Sequence, residues 1–118
     1  MNAPMSKFIQ VLSDDEVITS LTMEAGDTEI VKVKYYIWDG NAFILTDADE
    51  VTGVLESYDE DEGFKNISDV NIYHEDVGIY KVVFTADCLP GTYYLKIAFT
   101  KDGFVDHDRL KVKVKIDV

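Results

Sequence analysis

Side chains in the last part of this chain alternate between apolar and polar with a period of two. Leu110, Val112, Val114 and Ile116 are interleaved with Lys111, Lys113 and Lys115. In a strand, successive side chains point to opposite faces, so this run carries one apolar face and one row of ammonium groups. Wound as a helix, the same residues would be smeared around the axis. The period recurs upstream. Tyr93, Leu95, Ile97 and Phe99 alternate with Tyr94, Lys96, Ala98 and Thr100. Tyr80, Val82 and Phe84 alternate with Lys81, Val83 and Thr85, and Val31, Val33, Tyr35 and Ile37 with Lys32, Lys34, Tyr36 and Trp38. Weaker strand signals lie at residues 7–12, 17–23, 51–58 and 67–73. About seven or eight strands at roughly ten-residue spacing are the pattern of an antiparallel sandwich or barrel. The lysines of the last strand are expected to guard a sheet edge.

The punctuation agrees. Asp39-Gly40-Asn41, Asp76-Val77-Gly78 and Lys101-Asp102-Gly103 are turn signals, and Leu89-Pro90-Gly91 predicts a type II turn. Pro4 and Pro90 both fall outside the strands. Residues 13–21 could form one helical turn, although Val17, Ile18 and Thr19 are β-branched and favour strand. Asp59-Glu60-Asp61-Glu62-Gly63 is expected to be a solvated loop, because adjacent carboxylates are costly to bury.

A chain of 118 residues suits a single domain, and 47% hydrophobic residues suffice for a core without metal or disulfide. The single cysteine, Cys88, excludes an intrachain bridge. The N-terminus has no apolar run of a signal peptide, and no segment is apolar enough to span a bilayer as a helix. Folding in a reducing cytoplasm is the expectation, with residues 1–5 as a flexible tail. The 23 acidic against 11 basic side chains give a net charge of −12. Such a charge repels phosphate backbones and anionic lipid, so neither direct nucleic-acid binding nor membrane binding is expected.

Leu89-Pro90-Gly91-Thr92-Tyr93-Tyr94 resembles the corner before the penultimate strand of fibronectin type III-like and bacterial immunoglobulin-like domains. There a tyrosine bonds back to nearby backbone. The resemblance gives that part to Tyr93 or Tyr94 and leaves room for one final strand. Asp76-Val77-Gly78-Ile79-Tyr80 resembles the corresponding corner of true immunoglobulin domains, but two strands would follow it. Together with Gly26-Asp27-Thr28, Trp38-Asp39-Gly40-Asn41 and Leu45-Thr46-Asp47-Ala48-Asp49, these turns resemble small immunoglobulin-like modules of tailed-bacteriophage virions. The resemblance implies an all-β, immunoglobulin-like antiparallel β-sandwich of residues 1–118. It implies a non-enzymatic virion component, a capsid decoration or a tail or baseplate protein. Such a component would dock on other virion structural proteins in multiple copies or as a homo-oligomer. The alternative is a carbohydrate- or surface-binding module of a bacterial cell-envelope protein. The inter-sheet cysteine pair of antibody domains is missing, and alternation turns Trp38 away from the core.

The residues offer little to a catalyst. His74 and His107 each stand beside carboxylates, but read as exposed histidines rather than a base or ligand. Cys88 follows Asp87, and a neighbouring acid disfavours a thiolate. The acidic runs at 47–50 and 59–63 could supply oxygen ligands to calcium, but neither matches an EF-hand loop. No catalytic residue, metal or cofactor is therefore expected. What remains is a set of aromatics expected off the core face: Tyr36, Trp38, Tyr58, Tyr94 and Phe104. Tyr and Trp dominate interface hot spots, so a patch of them on one sheet would mark a docking surface.

Overall fold

A computed structural model describes residues 7–116; the tail expected at 1–5 lies outside them. The described residues form strands and no helix. In chain order they are β1 (Lys7–Ser13), β2 (Glu16–Val17), β3 (Ser20–Glu24), β4 (Thr28–Trp38), β5 (Phe43–Leu45), β6 (Glu50–Asp59), β7 (Gly63–Asp69), β8 (Asn71–Asp76), β9 (Ile79–Thr85), β10 (Gly91–Lys101) and β11 (Phe104–Lys115). The first sheet runs β2-β1-β4-β9-β8, with β5 paired to the end of β4. The second runs β3-β11-β10-β6-β7. Neighbours are antiparallel except β3 and β11, which run parallel.

The strands outnumber the seven or eight expected, and the differences have physical reasons. β2 and β5 are only two and three residues long. β7 is exposed almost throughout, so it has no apolar alternation to read. The run 67–73 is not one strand, because at Val70 the chain leaves the second sheet for the first. Gly53 leaves space for that crossing: a Cβ there would lie 2.6 Å from the Val70 side chain. The run 17–23 likewise divides between sheets, into β2 and β3. Its approach is no helical turn: Asp14 and Asp15 take φ of 50° and 65° in a hairpin turn. β11 lies between β10 and β3, so its lysines line the outside of a sheet and guard no edge. Ile116 falls beyond β11 and is exposed.

The inward side chains of both sheets meet in one core. Tyr35, Leu55, Val82, Leu95, Phe99 and Val112 are all fully buried. Each contributes on the order of 1.5–3 kcal/mol by leaving water. The Tyr35 and Phe99 rings stack at 4.7 Å and 3°, with Tyr80 edge-on to Phe99. At one end Lys7 of β1 reaches across to Asp106 of β11, Nζ to Oδ2 at 2.9 Å, and ties the sheets together. Burial works against the Lys7 charge, but Asp106 and the Tyr35 hydroxyl outweigh it and hold its pKa above 10.5.

The Tyr93 hydroxyl donates to the Leu89 carbonyl at 2.5 Å, so Tyr93 is the corner tyrosine, and a single strand follows. The chain enters β10 in near-extended conformation, with φ of 158° at Gly91, rather than through the type II turn expected. Gly78 has a stricter duty. It adopts φ of +69°, its carbonyl accepts Tyr35 N–H, and a Cβ would meet Thr46 N at 2.6 Å and Tyr35 O at 3.0 Å. Those neighbours are backbone and cannot swing aside. Gly78→Ala is therefore expected to cost about 3 kcal/mol through strain and a forced backbone shift. Urea unfolding measures it; a loss below about 0.5 kcal/mol, the surface norm, would contradict this packing.

Candidate functional site

The outward residues of the first sheet carry a cluster of rings. Alternation along β4 turns Tyr36 and Trp38 outward, while Tyr35 and Ile37 are buried. β1 pairs Phe8 with Tyr36, and β5 pairs Phe43 with Trp38. Four rings then touch in series: Trp38 on Phe43 at 5.2 Å, Phe43 on Phe8 at 5.7 Å and Phe8 on Tyr36 at 5.7 Å. The Tyr36 hydroxyl donates to Gln10 Oε1. Phe8, Trp38 and Phe43 each keep more than 40% of their surface in water. Among the described residues nothing covers these rings, and they leave a stretch of apolar area open.

The second sheet has its own cluster. Tyr94 of β10, Tyr58 of β6 and Phe64 of β7 point outward, with Phe64 at 5.0 Å from Tyr58 and 5.4 Å from Tyr94. The Arg109 guanidinium lies 3.8 Å over the Phe64 ring, and its Nε donates to Glu56 Oε1 at 3.0 Å. Glu56 is 4% exposed, a carboxylate buried against Arg109. The cation–π contact and ion pair fix Arg109 in place before any partner arrives.

Of the five aromatics expected to mark a site, all lie off the core, but they do not share a sheet. Tyr36 and Trp38 belong to the first cluster and Tyr58 and Tyr94 to the second. Phe104 stands apart at the β10–β11 hairpin, 72% exposed, with Lys7 Nζ 5.7 Å from its ring. Phe8, Phe43, Phe64, Arg109 and Glu56 were not foreseen. Phe8 precedes Ile9 and Val11 and Arg109 precedes Leu110, so period two alone could have turned both outward. Phe64 sits in a strand without alternation and gave no such signal.

The acidic run at 47–50 lines an open depression of about 360 Å3 together with Val51, Ile72, His74 and Tyr80. Two of its three carboxylates, Asp47 and Asp49, already have partners. Asp47 Oδ1 accepts Gly78 N–H at 2.7 Å and faces His74 Nε2 at 2.8 Å. Asp49 accepts Asp102 N–H and lies near Lys101. These bonds hold both carboxyls below the ordinary 3.8. The Tyr80 hydroxyl accepts Ala48 N–H, and burial pushes its pKa up. The His74–Asp47 pair thus braces the segment before β6 against β8, with no serine, threonine or cysteine in the lining. Among the described residues no three or more His, Cys, Asp or Glu converge as a metal would need. The run at 59–63 is the tip of the β6–β7 hairpin, where Asp59 Oδ1 accepts two backbone N–H groups.

Carboxyls with depressed pKa stabilise the fold above their unfolded value, and that stability is lost as pH falls. The melting temperature is therefore expected to drop as pH falls below about 3.8, on account of Asp47 and Asp49. Asp47→Asn should lower it at neutral pH and converge with the parent at pH about 2. Parallel curves at every pH would contradict this assignment.

No protein-family model matches the chain, and neither does any curated protein. Solved structures do match in shape. A domain of an endo-β-1,4-mannanase from Thermotoga petrophila aligns over 95% of this chain, with a TM-score of 0.59 and 13% identity. The chain spans 20% of that enzyme. A titin Z1Z2 chimera aligns over 99% with a TM-score of 0.54 and 14% identity, covering 100% of that chain. The titin M3 domain aligns over 92% with a TM-score of 0.50 and 12% identity, covering 99% of its chain. At such identity the likeness speaks to the fold alone: two facing sheets, the corner tyrosine and the titin neighbours together make this an all-β sandwich of immunoglobulin-like fold.

Proposed function

We propose that this domain is a non-catalytic docking module, and that the ring series Phe8, Tyr36, Phe43 and Trp38 seats it on another protein. The observation that carries this reading is the exposure of three large apolar side chains that touch in series on one sheet. Burying them in a partner would release about 25 cal/mol per Å2 of apolar area. The setting proposed is a tailed-phage virion, on the turn pattern given above, with this module seated on neighbouring structural subunits. Many symmetric copies would then add avidity to modest single contacts.

A row of rings also suits a sugar polymer, which stacks on flat aromatic faces. Here the rings tilt by 42° to 64° against one another and offer edges and clefts. That relief fits side chains of a protein better than pyranose faces. A glycan array separates the two readings.

The test is incorporation. Particles purified from the source culture are expected to carry the chain by mass spectrometry and by labelled negative-stain images. A Trp38→Ser/Phe43→Ser variant should melt within a few degrees of the parent yet incorporate roughly 30-fold less, the effect of losing a hot spot of about 2 kcal/mol. Absence of the parent from every particle would overturn the virion setting. Undiminished incorporation of the variant would overturn the ring series as the seat.

A further inference from the structure

The outside of the second sheet differs in charge from the rest of the molecule. Alternation on β11 sends Arg109, Lys111, Lys113 and Lys115 outward, while Leu110, Val112 and Val114 are buried. On β10, Lys96 and Tyr94 point the same way, paired in register with Arg109 and Lys111. Those five bases come from a total of 11 in a chain of net charge −12. β10 has no acid, and the acids of β11, Asp106 and the exposed Asp108, alternate with Arg109 and pair with the inward Phe99 and Ile97. The other acids of the face lie around it: Glu24 on β3, Glu50 and Asp69 at the far end, residues 59–62 at the hairpin tip beyond Tyr58 and Phe64, where Glu62 pairs with Lys65, and Glu56, which is taken up by Arg109.

The outside of the first sheet carries three lysines, of which Lys34 makes no ion pair among the described residues. Lys32 pairs with Glu75, and Lys81 lies 5.2 Å from the Tyr73 ring. Among the described residues Lys96, Lys111 and Lys113 make no ion pair. A ridge of unpaired ammonium groups thus runs beside the Tyr58, Phe64, Tyr94 and Arg109 cluster. Tyr and Arg are enriched in binding hot spots, and Arg109 is held by its stacking and its bond to Glu56.

We infer that this face is a second docking surface, and that its partner is an acidic polypeptide segment carrying apolar or aromatic side chains. Its carboxylates would lie along Lys96, Lys111 and Lys113, and its apolar groups on Phe64 and its neighbours. Charge complementarity names the class. The same charge argues against a long polyanion such as a nucleic acid, which the carboxylates elsewhere on the molecule would repel over a Debye length of roughly 10 Å. Because the ring series lies on the opposite sheet, a domain seated by one face leaves the other free, and the two contacts fail independently.

The probe is a short glutamate–tyrosine copolymer no longer than the face itself, followed by fluorescence anisotropy at low and at physiological salt. Binding is expected, weakening several-fold between the two salts. Lys96→Glu/Lys111→Glu/Lys113→Glu should weaken it at least ten-fold. Lys32→Glu/Lys34→Glu/Lys81→Glu changes the net charge equally on the first sheet and should weaken it less than three-fold. The Trp38→Ser/Phe43→Ser variant should bind as the parent does, which separates this surface from the ring series. Equal weakening by both triple variants would reduce the effect to net charge and overturn the inference. So would no binding of the copolymer, or tighter binding of a single-stranded oligonucleotide. Sedimentation showing that the parent self-associates, and that the second-sheet variant does not, would make a second copy the partner and overturn it too.

Discussion

Phe99→Ala is expected to destabilise the domain by about 3–5 kcal/mol, the largest single loss a core truncation should give here. Phe99 is fully buried, stacked flat on Tyr35 and met edge-on by Tyr80. It also stands on β10, paired on both sides by β6 and β11, where relaxation into the cavity is resisted by two neighbouring ladders. A domain of this size has about 5–15 kcal/mol in total, so the variant should be partly unfolded at physiological temperature. Denaturant titration followed by circular dichroism gives the number. A loss near 1 kcal/mol would mean that the two sheets do not close over this ring.

Arg109→Ala is the second large effect, and it links the fold to the surface. Removing the guanidinium strips Glu56, 4% exposed with Arg109 in place, of its partner. Breaking one side of a buried ion pair costs about 3–5 kcal/mol. Here the lower end is expected, because losing the side chain over Phe64 also admits water. Replacing both partners by apolar residues, Glu56→Leu with Arg109→Met, should recover most of the loss, since no charge is then stranded. Equal losses in the single and double variants would show that Glu56 was never shielded by the pair.

The contrast between these two positions shows what the sequence discloses. Phe99 was legible because Tyr93, Leu95, Ile97 and Phe99 recur at every second residue, and only a strand puts them on one face. The same alternation placed Tyr36 and Trp38 outside. The corner tyrosine was legible from the local run around Pro90 and Gly91, because its hydrogen bond spans four residues. Glu56 and Arg109 were hidden: they are 53 residues apart, and nothing local tells a buried carboxylate from a solvated one. Strands that switch sheets at Val70, or between β2 and β3, were hidden for a related reason. Period two reports which way side chains point, not which sheet receives them. The five aromatics expected off the core face lie off it, and the two sheets divide them.

Trp38 is the sole tryptophan, and it stands within the proposed seat. Its fluorescence therefore reports on that surface alone. Acrylamide, a neutral quencher indifferent to the net charge of −12, measures how open the ring is. In the isolated domain quenching should be efficient, as 42% exposure requires. In the proposed assembly, emission should shift to the blue and quenching should fall several-fold. Emission and quenching unchanged on assembly would leave Trp38 facing water in both states, and the ring series would then not be where this domain docks.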